Sequence, residues 1–188
     1  MLLGSRFPPD RRVEWEVIAL AGAGHRVTVL CRRQEGQPAE ETYRDLARVV
    51  RVNSFLYPLY SAASFGTNFI HCFWKRHLRR TAVKESAQAI HVHDLSHART
   101  AVHVARQLGI RSVVDLHEYL PGQISQILLH KASIRLNPAA RWIYNLKRWK
   151  KNQAWCLEHT DAAITICEEA KQLYCKTYGI DPAKIELL

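Results

Sequence analysis

Short runs of strand-forming residues alternate with helical stretches along this chain, and that alternation limits the folds open to it. VTVL at 27–30, ARVVRV at 47–52, AIHVH at 89–93, SVVDL at 112–116 and AAITI at 162–166 have strand length and are rich in branched residues, and KIELL at 184–188 begins one more. Helical stretches are predicted at 9–23, 60–86, 95–108, 122–135, 139–158 and 168–178. In the first of them Val13, Val17, Leu20 and Ala21 recur at helical spacing, and Pro8 and Pro9 suit a helix start. Gly22 and Gly24, Gly109 and Gly179 stop three of these stretches, and Asn137-Pro138 separates two others. The polar run RQEGQPAEET at 33–42 reads as a loop. Such alternation predicts a parallel sheet covered on both faces. Right-handed crossovers make it doubly wound, with a ligand crevice at the carboxyl ends of the strands. The prediction is therefore an α/β, Rossmann-like, doubly wound parallel sheet in a single domain over residues 1–188. Met1 to Ser5 makes a short first strand and the last strand stops without a turn, so the chain reads as a piece of a longer design.

Hydrophobic residues make up 47% of the chain and charged residues 23%, enough to bury a core. The net charge of +10 favours anionic partners: nucleic acid, acidic lipid or phosphorylated small molecules. The five cysteines, at 31, 72, 156, 167 and 175, show no CxxC spacing and read as free thiols of a reducing compartment. There is no signal peptide, and no run approaches the ~20 apolar residues of a membrane span. A cytoplasmic protein is expected, with room for a peripheral place on a membrane's inner face.

Four segments carry chemistry. In HVHDLSH at 91–97, His91 and His93 share one face of a strand and, with Asp94 and His97, suggest a metal cluster. The spacing departs from known metal motifs, so a strand end that sends polar side chains into the crevice is preferred, with no metal. In VVDLHEYLP at 113–121, Asp115, His117 and Glu118 follow apolar strand residues and should stand at the crevice mouth. A neutral His117 imidazole there can hydrogen-bond a sugar hydroxyl or a reacting group, and Glu118 can orient it or meet a ligand. In PPDRRVEWE at 8–16, Arg11 or Arg12 can meet an anion at the turn into the first helix. RWIYNLKRWKK at 141–151 interleaves Trp142, Tyr144 and Trp149 with basic residues, as a membrane-interface helix does, or a helix with a buried aromatic stripe. No glycine-rich dinucleotide fingerprint and no nucleic-acid motif is present, so no cofactor and no specific nucleic acid is predicted.

Three passages resemble family-four glycosyltransferases. RFPPDRRVEWEVIALAGAGHRVTVL is similar to their opening, AIHVHDLSHARTAVHVARQLGIRSVVDLHEY to their middle, and HTDAAITICEEAKQLYCKTYGIDPAKIELL to the close of their N-terminal domain. The resemblance implies the N-terminal, acceptor-side half of a GT-B architecture, in which two Rossmann-like domains face a cleft and the second holds the nucleotide sugar. It implies a retaining, metal-independent transfer of sugar to a glycan or lipid-linked acceptor, as in polysaccharide biosynthesis. His117 matches the histidine that approaches the transferring sugar. Arg12, Asp94 and Glu118 join it as substrate-binding residues by position in the cleft. SRFPPD replaces the glycine-rich turn common after the first strand, and the donor domain falls outside these residues. The chain alone is accordingly expected to be inactive. The alternatives are a non-catalytic anion-binding module and a membrane-peripheral subunit using 141–151.

Overall fold

The computed structural model describes residues 1–131 and 137–188. Helix α1 (Arg11–Gly22) is followed by β1 (Val27–Arg32), β2 (Glu40–Tyr43), β3 (Ala47–Val52), α2 (Tyr57–Gly66), α3 (Cys72–Lys84), β4 (Ala89–His93), α4 (Leu95–Leu108) and β5 (Arg111–Asp115). Then come α5 (Leu120–His130), α6 (Pro138–Ile143), α7 (Leu146–His159), β6 (Ala162–Thr165), α8 (Glu168–Tyr178) and β7 (Ile185–Leu187). The end of the helix expected over 122–135 lies outside the described residues.

Two ladders, β2-β3-β1 and β4-β5-β6-β7, are joined by the first residues of the chain. Leu2 bridges in parallel to both Leu30 of β1 and Val92 of β4, donating to His91 O at 2.7 Å and accepting from His93 N at 3.1 Å. The short N-terminal segment is thus the central strand. Because side chains alternate across a strand, Leu2 and Leu3 enter different cores. Leu3 joins Phe7, Val13, Val17, Val29 and Val49 beneath α1. Leu2 joins Leu30, Val92 and Val114 in the larger core shared by α3, α4 and α7. In α4 the small residues Ala98, Ala101 and Ala105 are fully buried, which lets the helix axis approach the sheet. Every ladder but β2–β3 is parallel. From the central segment the chain steps to β1 on one side and later to β4 on the other, so the strand order reverses there and a crevice opens at the carboxyl ends.

Three expectations need correction. Residues 40–42 are not loop but part of an antiparallel edge strand on β3, closed by a three-residue turn in which Arg44 and Asp45 have φ of 50° and 57°. Residues 60–86 form not one helix but α2 and α3, broken where Asn68 and Phe69 take positive φ and Phe69 turns into the core. Asp10, rather than Pro8-Pro9, starts α1: its carboxylate accepts from Arg12 N at 3.2 Å.

Candidate functional site

The parallel register of β4 on β5 sets His93 beside Asp115. The two strands end level with each other, so the turns leaving them meet at one edge of the sheet. Asp115 Oδ2 accepts from His93 Nδ1 at 3.1 Å and from His117 Nδ1 at 2.9 Å. His117 Nε2 lies 2.9 Å from Asp94 Oδ1, an ion pair whose angle is off the hydrogen-bond line. Asp94 occupies the N-cap position of α4 with φ 70° and ψ 143° but gives the helix no side-chain cap, its carboxylate being turned to His117. From the other side, α1 brings Glu16, whose Oε2 is 3.4 Å from both His91 Nδ1 and His93 Nε2.

These contacts fix protons. A carboxylate only accepts, so both Nδ1 atoms on Asp115 carry hydrogen. At His117 the second nitrogen also faces a carboxylate, so the ring is an imidazolium. Burial opposes that charge, but Asp115 and Asp94 overcome it and raise the pKa to about 9. The expectation of a neutral His117 is therefore corrected: at neutral pH it is a cationic donor. Burial likewise works against the Asp115 and Asp94 carboxylates, yet His117 holds both below the usual carboxylate range, and His93 adds to this at Asp115. Burial pushes Glu16 up to about 7 and His91 down to about 3.

The metal quartet suggested by the sequence does not assemble. Asp94 faces His117, and His97 packs against Trp74 and His71, with ring centroids at 5.7 and 5.8 Å. The structure instead groups Glu16 and Asp115 with His91 and His93, their ligand atoms within 4.8 Å of one another. The two imidazoles are stacked, centroids 4.6 Å apart and planes at 28°, and each sets one ring nitrogen 3.4 Å from Glu16 Oε2. Asp115 Oδ2 is already taken by two imidazoles. The group is a buried network of charges and hydrogen bonds.

Above it opens a groove of about 440 Å³, within the ordinary range of ligand pockets. Arg12, Asp94 and Glu118 all line it, with Ser96, against an apolar wall that includes Ile124, Ile143 and Trp149. The three substrate-binding residues expected from the sequence thus share one cavity, and His117 lies behind Asp94. Arg12 is paired with Asp10 at 3.1 Å. Glu118 is exposed and accepts from Gln123 Nε2 at 3.0 Å; Asp115 and Asp94, not Glu118, orient His117. A second depression of about 310 Å³, lined by Arg51, Arg80 and Glu85 among others, contains none of this constellation.

In the 141–151 segment Trp149 is core: it is 6% exposed, its ring lies 4.6 Å from that of Phe69, and its Nε1 donates to Ile143 O at 2.8 Å. Trp142 is 44% exposed, with the Arg148 guanidinium 4.8 Å from its ring centroid. Among the described residues no helix is long and apolar enough to cross a membrane. All five cysteines are free.

A crevice at the strand-order reversal, backed by a histidine held between two aspartates, defines a Rossmann-like α/β domain of the kind that makes half of a GT-B glycosyltransferase. The chain belongs to Glycosyltransferase Family 4, whose model matches residues 16–188. Two solved structures of sucrose-phosphate synthase from Thermosynechococcus elongatus share the fold at 12% sequence identity. One has a TM-score of 0.64 over 99% of this chain and 84% of its own. The other has a TM-score of 0.65 over 98% of this chain but 43% of its own, so the chain spans less than half of that longer protein. No curated protein sequence matches.

Proposed function

We propose that the chain is the acceptor-side half of a retaining glycosyltransferase that moves a sugar from a nucleotide sugar to a glycan or lipid-linked acceptor. The observation that carries this reading is His117, held between Asp115 and Asp94 and lying behind Asp94 at the groove lined by Arg12, Asp94 and Glu118. In transfer the bond from sugar to nucleotide diphosphate breaks, the bond to the acceptor oxygen forms, and the acceptor's hydroxyl proton passes to the departing diphosphate oxygen. An imidazolium is no base for that proton. It serves as a fixed donor toward the transferring sugar, in a site where oriented charge needs no reorganisation. Asp94, Arg12 and Glu118 receive acceptor hydroxyls. The nucleotide sugar belongs to a second domain, and since transfer needs both substrates in one geometry, this chain by itself does not turn over.

The test is a sugar-transfer assay with a panel of nucleotide sugars, on this chain and on the chain joined to any further coding sequence of its reading frame. Transfer in the joined form alone, lost on His117→Ala, is the expected result. Transfer by neither form overturns the reading. A peripheral membrane contact is favoured by exposed Trp142 in a segment whose cations Arg141, Lys147, Lys150 and Lys151 are exposed as well. It predicts binding to anionic vesicles that high salt abolishes. A cytoplasmic location agrees with that arrangement.

A further inference from the structure

Transfer through Asp94, Asp115 and His117 leaves one buried acidic group of the network, Glu16, without a role. Glu16 projects from α1 into the space between that helix and β4. It is 8% exposed, and neither of its oxygens has an aligned hydrogen-bond donor among the described residues. A carboxyl group in such a place is costly, because burial without hydrogen bonds disfavours its charge. A glutamine or a leucine would fill the same volume without that cost. What the carboxylate has in return is position. Its Oε2 is 3.4 Å from His93 Nε2, His93 Nδ1 bonds Asp115, and Asp115 bonds His117. Four side chains from α1, β4, β5 and the β5–α5 loop thus stand in line from the core to the crevice.

We propose that Glu16 is a positioning residue for His117: through His93 and Asp115, its negative charge keeps the His117 imidazole protonated and turned toward the crevice. The inference rests on the reading of His117 as the donor that meets the sugar. The sign is set by the geometry. Asp115 is shared by two imidazoles, so whatever draws positive charge onto His117 must compete with His93 for the same oxygen. An ionised Glu16 holds His93 from behind and adds a negative charge to the network. That charge favours the imidazolium at His117. The groups facing this line are His91 and His93 from β4, Asp94 after it, Asp115 and His117, Arg12 from α1, and the amino group of Met1, which feels Glu16. Burial raises Glu16 to about 7, so it adds its charge as the pH enters the range where an isolated imidazole loses its proton.

The experiment is an NMR titration of the histidine rings in this full chain, with no donor and no transfer required. In the Glu16→Gln chain the His117 midpoint is expected to fall by about half a unit or more, the size one nearby buried charge produces. Glu16→Asp, which retains the charge, should restore most of the shift. A purely structural glutamate predicts equal midpoints in folded wild type and variant, and that result overturns the proposal. Should Glu16→Gln fail to fold, linkage supplies a second measurement. His117→Gln must raise the midpoint of the Glu16 carboxyl by the same amount that Glu16 raises that of His117. An unmoved Glu16 midpoint overturns the proposal equally. Because these readouts need no sugar transfer, a failed transfer assay would reject the enzymatic reading while leaving the coupling to be judged separately.

Discussion

Asp94 meets His117 at 2.9 Å across the carboxyl ends of two neighbouring strands. The contact comes at a local cost. Asp94 sits at φ 70° and ψ 143°, a conformation that side-chain-bearing residues avoid, and such strain is of order 1–3 kcal/mol. It also leaves α4 without the side-chain cap that an aspartate in this place normally provides. A backbone held this way needs support, and Asp94 N supplies part of it by donating to Asp115 O at 3.1 Å. The arrangement sacrifices a helix cap for an oriented imidazolium at the edge of an open groove.

If the proposed transfer is right, its rate in the joined form should follow the protonated form of His117. His117→Ala is expected to lower kcat/KM by on the order of 10²-fold or more, the usual effect of removing one oriented donor. Activity in the parent should fall as the pH passes about 9. In Asp94→Asn that falling limb should move to lower pH, since one of the two carboxylates that raise the pKa is gone. A limb that stays in place would separate His117 from the reaction.

Stability carries its own signature. Glu16 is raised from 4.5 to about 7 by burial, so the folded state holds its proton more tightly than the unfolded chain does. Between those pH values the unfolded state releases the proton first, and stability falls as pH rises. Glu16→Gln removes this loss. Melting temperatures of parent and variant compared at pH 5 and pH 8 should show the variant gaining on the parent at the higher pH. A gap that does not change with pH would mean that Glu16 titrates normally.

The central strands were legible because parallel strands covered on both faces read as unbroken apolar runs, and β1, β4, β5 and β6 lie where VTVL, AIHVH, SVVDL and AAITI placed them. Helices α4 and α8 were legible from their periodicity and from Gly109 and Gly179, both with φ 66°. The edge strand β2 was not, because EETY at a sheet edge faces solvent and has loop composition. Nor was the break between α2 and α3, where Gly66 ends α2 inside an otherwise apolar run and Asn68 and Phe69 turn the chain at positive φ. The common place of Arg12, Asp94 and Glu118 in one groove was legible because they follow strands or begin a helix. Glu16 was missed, although it left a signal. It falls in the apolar stripe of α1 with Val13, Val17 and Leu20, where a carboxylate has no reason to be unless something buried meets it. The charge on His117 could not be read from its neighbours in sequence, since Asp94 lies on another strand's end.

The approach of the first loop to α4 makes a steric prediction. A Cβ added at Gly4 would lie 2.1 Å from His97 Nε2, well inside contact distance. Gly4→Ala should then force the imidazole aside at about 1–3 kcal/mol, the usual cost of overpacking. For a chain of this length that corresponds to a melting temperature lower by roughly 2–4 °C per kcal/mol. Removing the obstacle should remove most of the cost, so Gly4→Ala combined with His97→Ala should be less destabilised than the sum of the two single changes. Additive effects would show that the ring swings away freely.

The loop that carries the chain from the central segment to α1 is held by Arg51, a side chain of β3 turned inward and almost wholly buried. Its guanidinium donates to Phe7 O through Nε at 3.1 Å and Nη2 at 2.9 Å, reaches Pro38 O at 3.3 Å, and pairs with Glu41 on β2. One planar fork thus ties the edge hairpin to the segment that leads to Asp10 and Arg12. Lysine carries the same charge but has no second arm to grip Phe7 O and no fixed plane. Arg51→Lys should cost about 1–3 kcal/mol for the bonds left unmade, seen as a lower urea midpoint with the slope unchanged. Hydrogen exchange should quicken at Leu3 and Arg32 amides, which bond across this junction at 3.0 and 2.9 Å. Exchange confined to the β2 hairpin would assign Arg51 to the sheet edge alone, and the loop beside the groove would then owe its position to the apolar contacts of Phe7.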